Sequence, residues 1–193
     1  MKQIQAFVTL LIVFFLFSCS THKQSNFHVE KFVGVTLDGK EVVIRNLNAR
    51  RVALNVYSPT CVPCFKELPA LHYLYDEMQK NKAGELYIVV DPYSLQDGQE
   101  TKSAATALRS AQAMMQLEKE KRGIRIPILI MKPPFAVKPE GGLVTGTPET
   151  LLFDTKPLSL FYNFIGPLSE AQEISEITQE PRVVFFKRMF AGF

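Results

Sequence analysis

The sequence predicts an α/β fold, a mixed central β-sheet flanked by helices and opened by an N-terminal β-hairpin. Three observations carry this expectation. Alternating apolar stretches in "HVEKFVGVTLDGKEVVIRNL" break at Asp38-Gly39, a dipeptide that favours a hairpin turn. Two short apolar runs, "RVALNVYS" and "ELYIVVDPYS", have the make-up of buried central strands and enclose a stretch of helical period, which makes a βαβ unit. A second amphipathic stretch and a closing strand pair follow, an order that implies helices on both faces of the sheet. At 193 residues with 47% hydrophobic content, the chain is expected to bury one core as one domain.

Each element has its own signal. After Pro63, the residues Phe65, Leu68, Leu71, Leu74, Tyr75 and Met78 recur at helical spacing, and Pro69 inside the run is expected to kink that helix. A long amphipathic helix is expected over 99–122, with Ala104, Leu108, Ala111 and Met115 as its core stripe and Gly123 as its stop. "IRIPILIM" reads as extended, whereas "KPPFAVKPEGG", with three prolines and two glycines, reads as a loop. "ETLLFDT" and "LSLFYNFIG" pair around Lys156-Pro157, and "SEAQEISEIT" forms a short helix capped by Ser169. In the final "RVVFFKRMFAGF", one helical face would hold Val183, Phe186, Met189, Phe190 and Phe193. Packing on the domain itself is the expected fate of that face, with a partner, a dimer or a membrane surface as alternatives.

The first residues read as an export signal. Lys2 precedes the apolar run "AFVTLLIVFFLF", which is short for a membrane span and suits the core of a signal peptide. Leu16-Phe17-Ser18-Cys19 resembles a bacterial lipobox, in which the cysteine becomes the lipidated first residue. The expected organisation is a signal peptide over 1–18, lipidation at Cys19, a polar tether over 19–26, a domain over 27–180 and an apolar extension over 181–193. A plain cleaved signal or an uncleaved anchor are the alternatives. The expected location is the bacterial cell envelope, membrane-anchored and facing the periplasm. The formal net charge of +3 is nearly balanced and no block of like charges occurs, so nothing argues for a nucleic-acid partner.

Chemistry concentrates in "NVYSPTCVPCFKELPAL". With Cys19 lipidated, Cys61 and Cys64 are an isolated pair in a compartment where disulfides persist. A structural zinc site needs four ligands, and no second pair stands at suitable spacing. His72 lies two turns beyond Cys64, roughly 12 Å along the axis, too far to share an ion. A brace over two residues would remove little chain entropy. The redox reading has a mechanism: at a strand-to-helix junction, free backbone N–H groups and the helix dipole favour a thiolate on Cys61. Cys64, one turn in, is placed to resolve the mixed disulfide, and Pro63 stiffens the short loop without forfeiting a hydrogen bond. No metal and no cofactor beyond the Cys61/Cys64 pair is implied.

"LNVYSPTCVPCFKELPALHYLY" resembles the active-site segment of the TlpA/ResA-like periplasmic thiol–disulfide oxidoreductases, within the thioredoxin superfamily. Leu54, Asn55, Cys61, Pro63, Cys64, Glu67 and Pro69 fall in register with that family, and Gly146-Thr147-Pro148 matches a second signature ahead of the penultimate strand. The resemblance spans 27–178 and implies a thioredoxin-like fold with catalytic Cys61 and Cys64. It also implies a cis Pro148 facing the pair, and substrate contact through Pro63, Pro148 and the backbone at Thr147. Glu67 is either a proton acceptor that tunes the cysteines or a solvated helix carboxylate. Asn55 stands where thioredoxin itself has a buried Asp. Thr60 replaces the family's usual Trp, and the segment before Gly146 lacks the family's short helix.

The resemblance further implies a membrane thiol reductase as electron donor and exported proteins with cysteine pairs as clients, such as apocytochrome c or the cysteines of copper sites. Pro63, where strongly oxidising relatives carry His, favours a reductase. An oxidase or isomerase of exported proteins, or a non-catalytic binding lipoprotein, are the rival readings.

Overall fold

The computed structural model describes residues 32–95 and 103–190, organised on one seven-stranded sheet. Its strands are β1 (Val33–Thr36), β2 (Glu41–Val43), β3 (Arg51–Val56), β4 (Glu85–Val90), β5 (Ile128–Met131), β6 (Glu149–Thr155) and β7 (Leu158–Ile165), in the spatial order β2-β1-β5-β4-β3-β6-β7. The β3-β4 and β4-β5 pairs are parallel, and all others are antiparallel. The helices are α1 (Val62–Lys66), α2 (Leu68–Asn81), α3 (Ala104–Arg122), α4 (Ile174–Ile177) and α5 (Pro181–Met189). The hairpin turns where expected, with Gly39 at φ 90°, a conformation that a side chain would disfavour. The N-terminal signal, the Cys19 lipidation site and the tether lie outside the described residues.

The sheet is flanked by helices, but every described α-helix packs on one face rather than on both. The physical reason is topological. The chain steps from β3 to β4 to β5 in one direction across the sheet, and two right-handed crossovers in the same direction leave α2 and α3 on the same side. That core joins Ala53, Leu86, Ile88 and Leu152 of the sheet and Tyr57 just past β3 to Leu71, Leu74 and Met78 of α2, Met115 of α3, and Val183 and Phe186 of α5. The opposite face carries Val52, Leu54, Leu129, Leu151 and Phe153, covered by Ile44 of a short 3-10 turn, Phe32, Phe135 and Val144. Phe32 meets Phe135 and Phe153 edge-on at 5.4 and 6.0 Å. The loop "KPPFAVKPEGG" forms part of that second cover.

Several boundaries differ from the sequence reading. Pro69 does not kink one helix but sits in the first turn of a second: α1 ends at Lys66, and α2 begins after Glu67. Proline offers no N–H to continue the α1 ladder and is well suited to the first turn of a new helix. Helix α3 begins at Ala104 with Ser103 as its cap, and Gly123 closes it at φ 62°. Its buried stripe is Ala107, Ala111, Met115 and Glu118; Leu108 is half-buried, and Ala104 is exposed in the first turn. Ser169 does not cap α4, whose N-cap is Glu173; its hydroxyl instead accepts a bond from Ala171 N at 3.0 Å.

The C-terminal apolar face packs on the domain. Val183, Phe186 and Phe190 are buried, and Phe190 stacks on Phe186 at 4.8 Å. Gly84 makes room for this: a Cβ there would lie 2.8 Å from Phe190 and 2.6 Å from the Arg51 carbonyl oxygen. Met189 is half-buried, and Phe193 lies outside the described residues. No described helix is long and apolar enough to cross a membrane.

Candidate active site

Buried β3 delivers the chain to the cysteines. After Val56 and Tyr57, Ser58-Pro59-Thr60 makes a turn in which Cys61 N donates to the Ser58 carbonyl oxygen at 3.1 Å. Cys61 is the N-cap of α1, with its Sγ accepting from Cys64 N at 3.2 Å. The pair is disulfide-bonded with Cα atoms 5.3 Å apart. Cys64 is fully buried and Cys61 half-exposed, so Cys61 is the more accessible of the two. Pro63 occupies the first turn of α1.

Glu67 closes the short helix that Cys61 opens, three residues after Cys64. Its side chain is fully buried, so it is not a solvated helix carboxylate. Asn55 Nδ2 donates to Oε1 at 2.9 Å, and Leu168 N donates to Oε2 at 2.9 Å. Burial pushes its carboxyl up to about 7; the Leu168 N–H, the Asn55 amide and the charge of Arg182 oppose that rise, while Glu170 adds to it. Asn55 Nδ2 also donates to Thr150 Oγ1 at 3.0 Å, which ties Glu67 to β6 just after Pro148.

The antiparallel register sets Val56 opposite Glu149, so Thr147 and Pro148 lie at the end of the sheet where β3 leads to Cys61. The Thr147-Pro148 peptide is cis, and Gly166 N donates to the Pro148 carbonyl oxygen at 2.9 Å. At this end of the sheet Val62, next to Cys61 in the chain, is 52% exposed, and Ile165, paired with Glu149, is 66% exposed. Thr60 is exposed, and its hydroxyl lies 3.0 Å from that of Ser58.

A charged cluster that sequence reading missed grips both flanks of the pair. Tyr57 donates its hydroxyl to Glu118 Oε1 at 2.7 Å, and Arg122, one turn on, also pairs with Glu118. The Arg122 guanidinium lies 3.8 Å over the ring of Phe65, the residue after Cys64. Burial, reinforced by Glu118, raises the Tyr57 phenol far above its usual range. The available signal was Glu118 on the apolar stripe of α3, in step with Ala111 and Met115. Lys66, two residues after Cys64, pairs with Glu170 at 3.3 Å. His72 accepts from Arg125 N at 3.3 Å, away from the disulfide.

No protein-family model matches the sequence, and no curated protein does. Solved structures do match in fold. StoA from Bacillus subtilis aligns with a TM-score of 0.50 at 19% identity, over 77% of this chain and 97% of its own. The pneumococcal exposed lipoprotein thioredoxin Etrx1 from Streptococcus pneumoniae aligns with a TM-score of 0.52 at 16% identity, over 76% and 97%. MTB dsbF, in mixed oxidized and reduced forms, aligns with a TM-score of 0.51 at 17% identity, over 81% and 96%. The fold is thioredoxin-like. A Cys61–Cys64 disulfide capping the first helix of that fold is the equipment of a thiol–disulfide oxidoreductase.

Proposed function

We infer that the protein is an exported, lipid-anchored thiol–disulfide oxidoreductase that works as a reductase of other exported proteins. The carrying observation is the Cys61–Cys64 pair at the N-terminus of a helix whose other end is the buried Glu67. In the reduced protein, the Cys61 thiolate attacks a substrate disulfide, forming a mixed disulfide and releasing one substrate thiolate. Cys64, deprotonated, attacks Cys61 Sγ; the Cys61–Cys64 bond forms, and the second substrate thiolate leaves. Two electrons pass to the substrate. A carboxyl that titrates near neutrality suits Glu67 to take the Cys64 proton. The substrate strand lies along Thr147 and Pro148, with Pro63 at its edge.

Electron flow towards substrate is supported by Pro63, where strongly oxidising relatives carry His. A membrane thiol reductase would restore the dithiol, and apocytochrome c or the cysteines of copper sites are the clients to test. Anchoring at Cys19 is supported by the lipobox-like sequence and by the likeness to an exposed lipoprotein thioredoxin. The deciding experiment equilibrates the protein in thiol–disulfide buffers and traps its free thiols. A potential near roughly −270 mV fits a reductase, whereas one near −120 mV makes the protein an oxidase.

A further inference from the structure

Two buried carboxylates outside the Glu67 network hold the segment that presents Thr147 and Pro148. Residues 132–148 connect β5 to β6 without a helix, and their own backbone bonds are few: Phe135 N to Lys132 O at 3.2 Å and Lys138 N to Val144 O at 2.8 Å. Side chains of the sheet supply further ties. Asp91, just past β4 and 3% exposed, accepts from Val137 N through Oδ2 and from Tyr93 N through Oδ1, each at 2.9 Å. Glu149, the first residue of β6 and 1% exposed, accepts from Thr145 N at 2.8 Å and from the Thr145 hydroxyl through Oε1. Its Oε2 accepts from Asn163 Nδ2 of β7 at 3.0 Å.

A carboxylate is a costly choice at a position whose same-face neighbours along β6 are Leu151 and Phe153. Three donors offset that cost, and two of them belong to one residue on the approach to Pro148. Thr145 is thereby fixed ahead of the segment, while Glu149 and the Gly166-to-Pro148 bond fix it behind. Between those points only Gly146 and Thr147 remain to be oriented.

We propose that Glu149 is a positioning residue for substrate: by holding Thr145 it aims the Thr147 backbone at an incoming strand, so that the site discriminates extended polypeptide disulfides from small ones. Asp91 secures the far end of the same loop. The proposal rests on the thiol–disulfide exchange inferred above, and it assigns Glu149 no contact with the reacting sulfurs.

The test is single-turnover oxidation of the pre-reduced protein by two probes: insulin, a polypeptide disulfide, and hydroxyethyl disulfide, which has no backbone to pair with Thr147. Glu149→Leu, which leaves Thr145 no acceptor, should slow the reaction with insulin on the order of 10-fold. It should leave the rate with hydroxyethyl disulfide and the Cys61/Cys64 potential unchanged. Thr145→Val, at an exposed position, removes one of the Thr145 donors and should slow insulin alone by a smaller factor. It decides the matter by itself if Glu149→Leu does not fold. Equal losses on both probes, or no loss on either, overturn the proposal. A wild-type protein that reacts with neither probe overturns the exchange reading instead, and the positioning role with it.

Discussion

Asn55 on β3 donates one amide nitrogen to two buried partners, Glu67 Oε1 at 2.9 Å and Thr150 Oγ1 at 3.0 Å. One side chain therefore links the carboxyl at the end of the cysteine-capped helix to the strand that begins beside Pro148. The remaining Glu67 oxygen is taken by Leu168 N, 101 residues along the chain. Three segments thus meet at a fully buried carboxyl, and a fourth, β6, is tied to it through Asn55.

That burial makes a pH prediction. The Glu67 carboxyl titrates at about 7 in the folded chain against 4.5 for the free side chain. The folded state therefore holds a proton that the unfolded state has lost between those values. The stability contribution of protonated Glu67 is fully present below about pH 4.5 and is lost as pH rises through about 7, by on the order of 3 kcal/mol. Denaturant unfolding between pH 5 and 8 should show this decline in the wild type and a flatter profile in Glu67→Gln.

Covalent exchange predicts a trapped intermediate. Cys64→Ser removes the resolving thiol, so Cys61 should accumulate mixed disulfides with exported proteins, seen as bands lost on treatment with dithiothreitol. Adding Cys61→Ser should abolish them. A protein that only binds its clients without exchange would give no reducible bands in either variant.

The Tyr57–Glu118 bond should matter for stability. Tyr57→Phe leaves a buried carboxylate with one donor fewer, and a hydrogen bond to a charged group contributes about 1.5–3 kcal/mol. Leu117→Ala, at a side chain 68% exposed on the same helix, is the control and should stay within about 0.5 kcal/mol of wild type. Equal midpoints for wild type and Tyr57→Phe would show that Arg122 alone suffices for Glu118.

The last helix should behave as core. Phe186→Ala is expected to cost about 3–5 kcal/mol, because its ring is fully buried among Phe164, Phe190 and the α2 face. Gly84→Ala should also destabilise, by forcing a Cβ against the Arg51 carbonyl and the Phe190 ring. Unfolding midpoints that match wild type would mean that α5 is dispensable to the domain.

Much of this architecture is written in local pattern. Alternation around Asp38-Gly39 specifies the hairpin, the apolar runs specify β3 and β4, and Cys61-Val62-Pro63-Cys64 specifies a cysteine pair capping a helix. These features rest on side-chain period and turn chemistry, which a few neighbouring residues decide. The tertiary structure alone decided the rest. Glu67 has the look of a surface helix residue until Leu168 and Asn55 close over it. Glu149 and Asp91 look like ordinary strand-end acids until the loop over 132–148 donates to them. Helices gather on one face because of the direction in which successive crossovers run, and no window of residues encodes that direction. Burial and proton affinity follow from what covers a group, and here the covering chain comes from up to a hundred residues away.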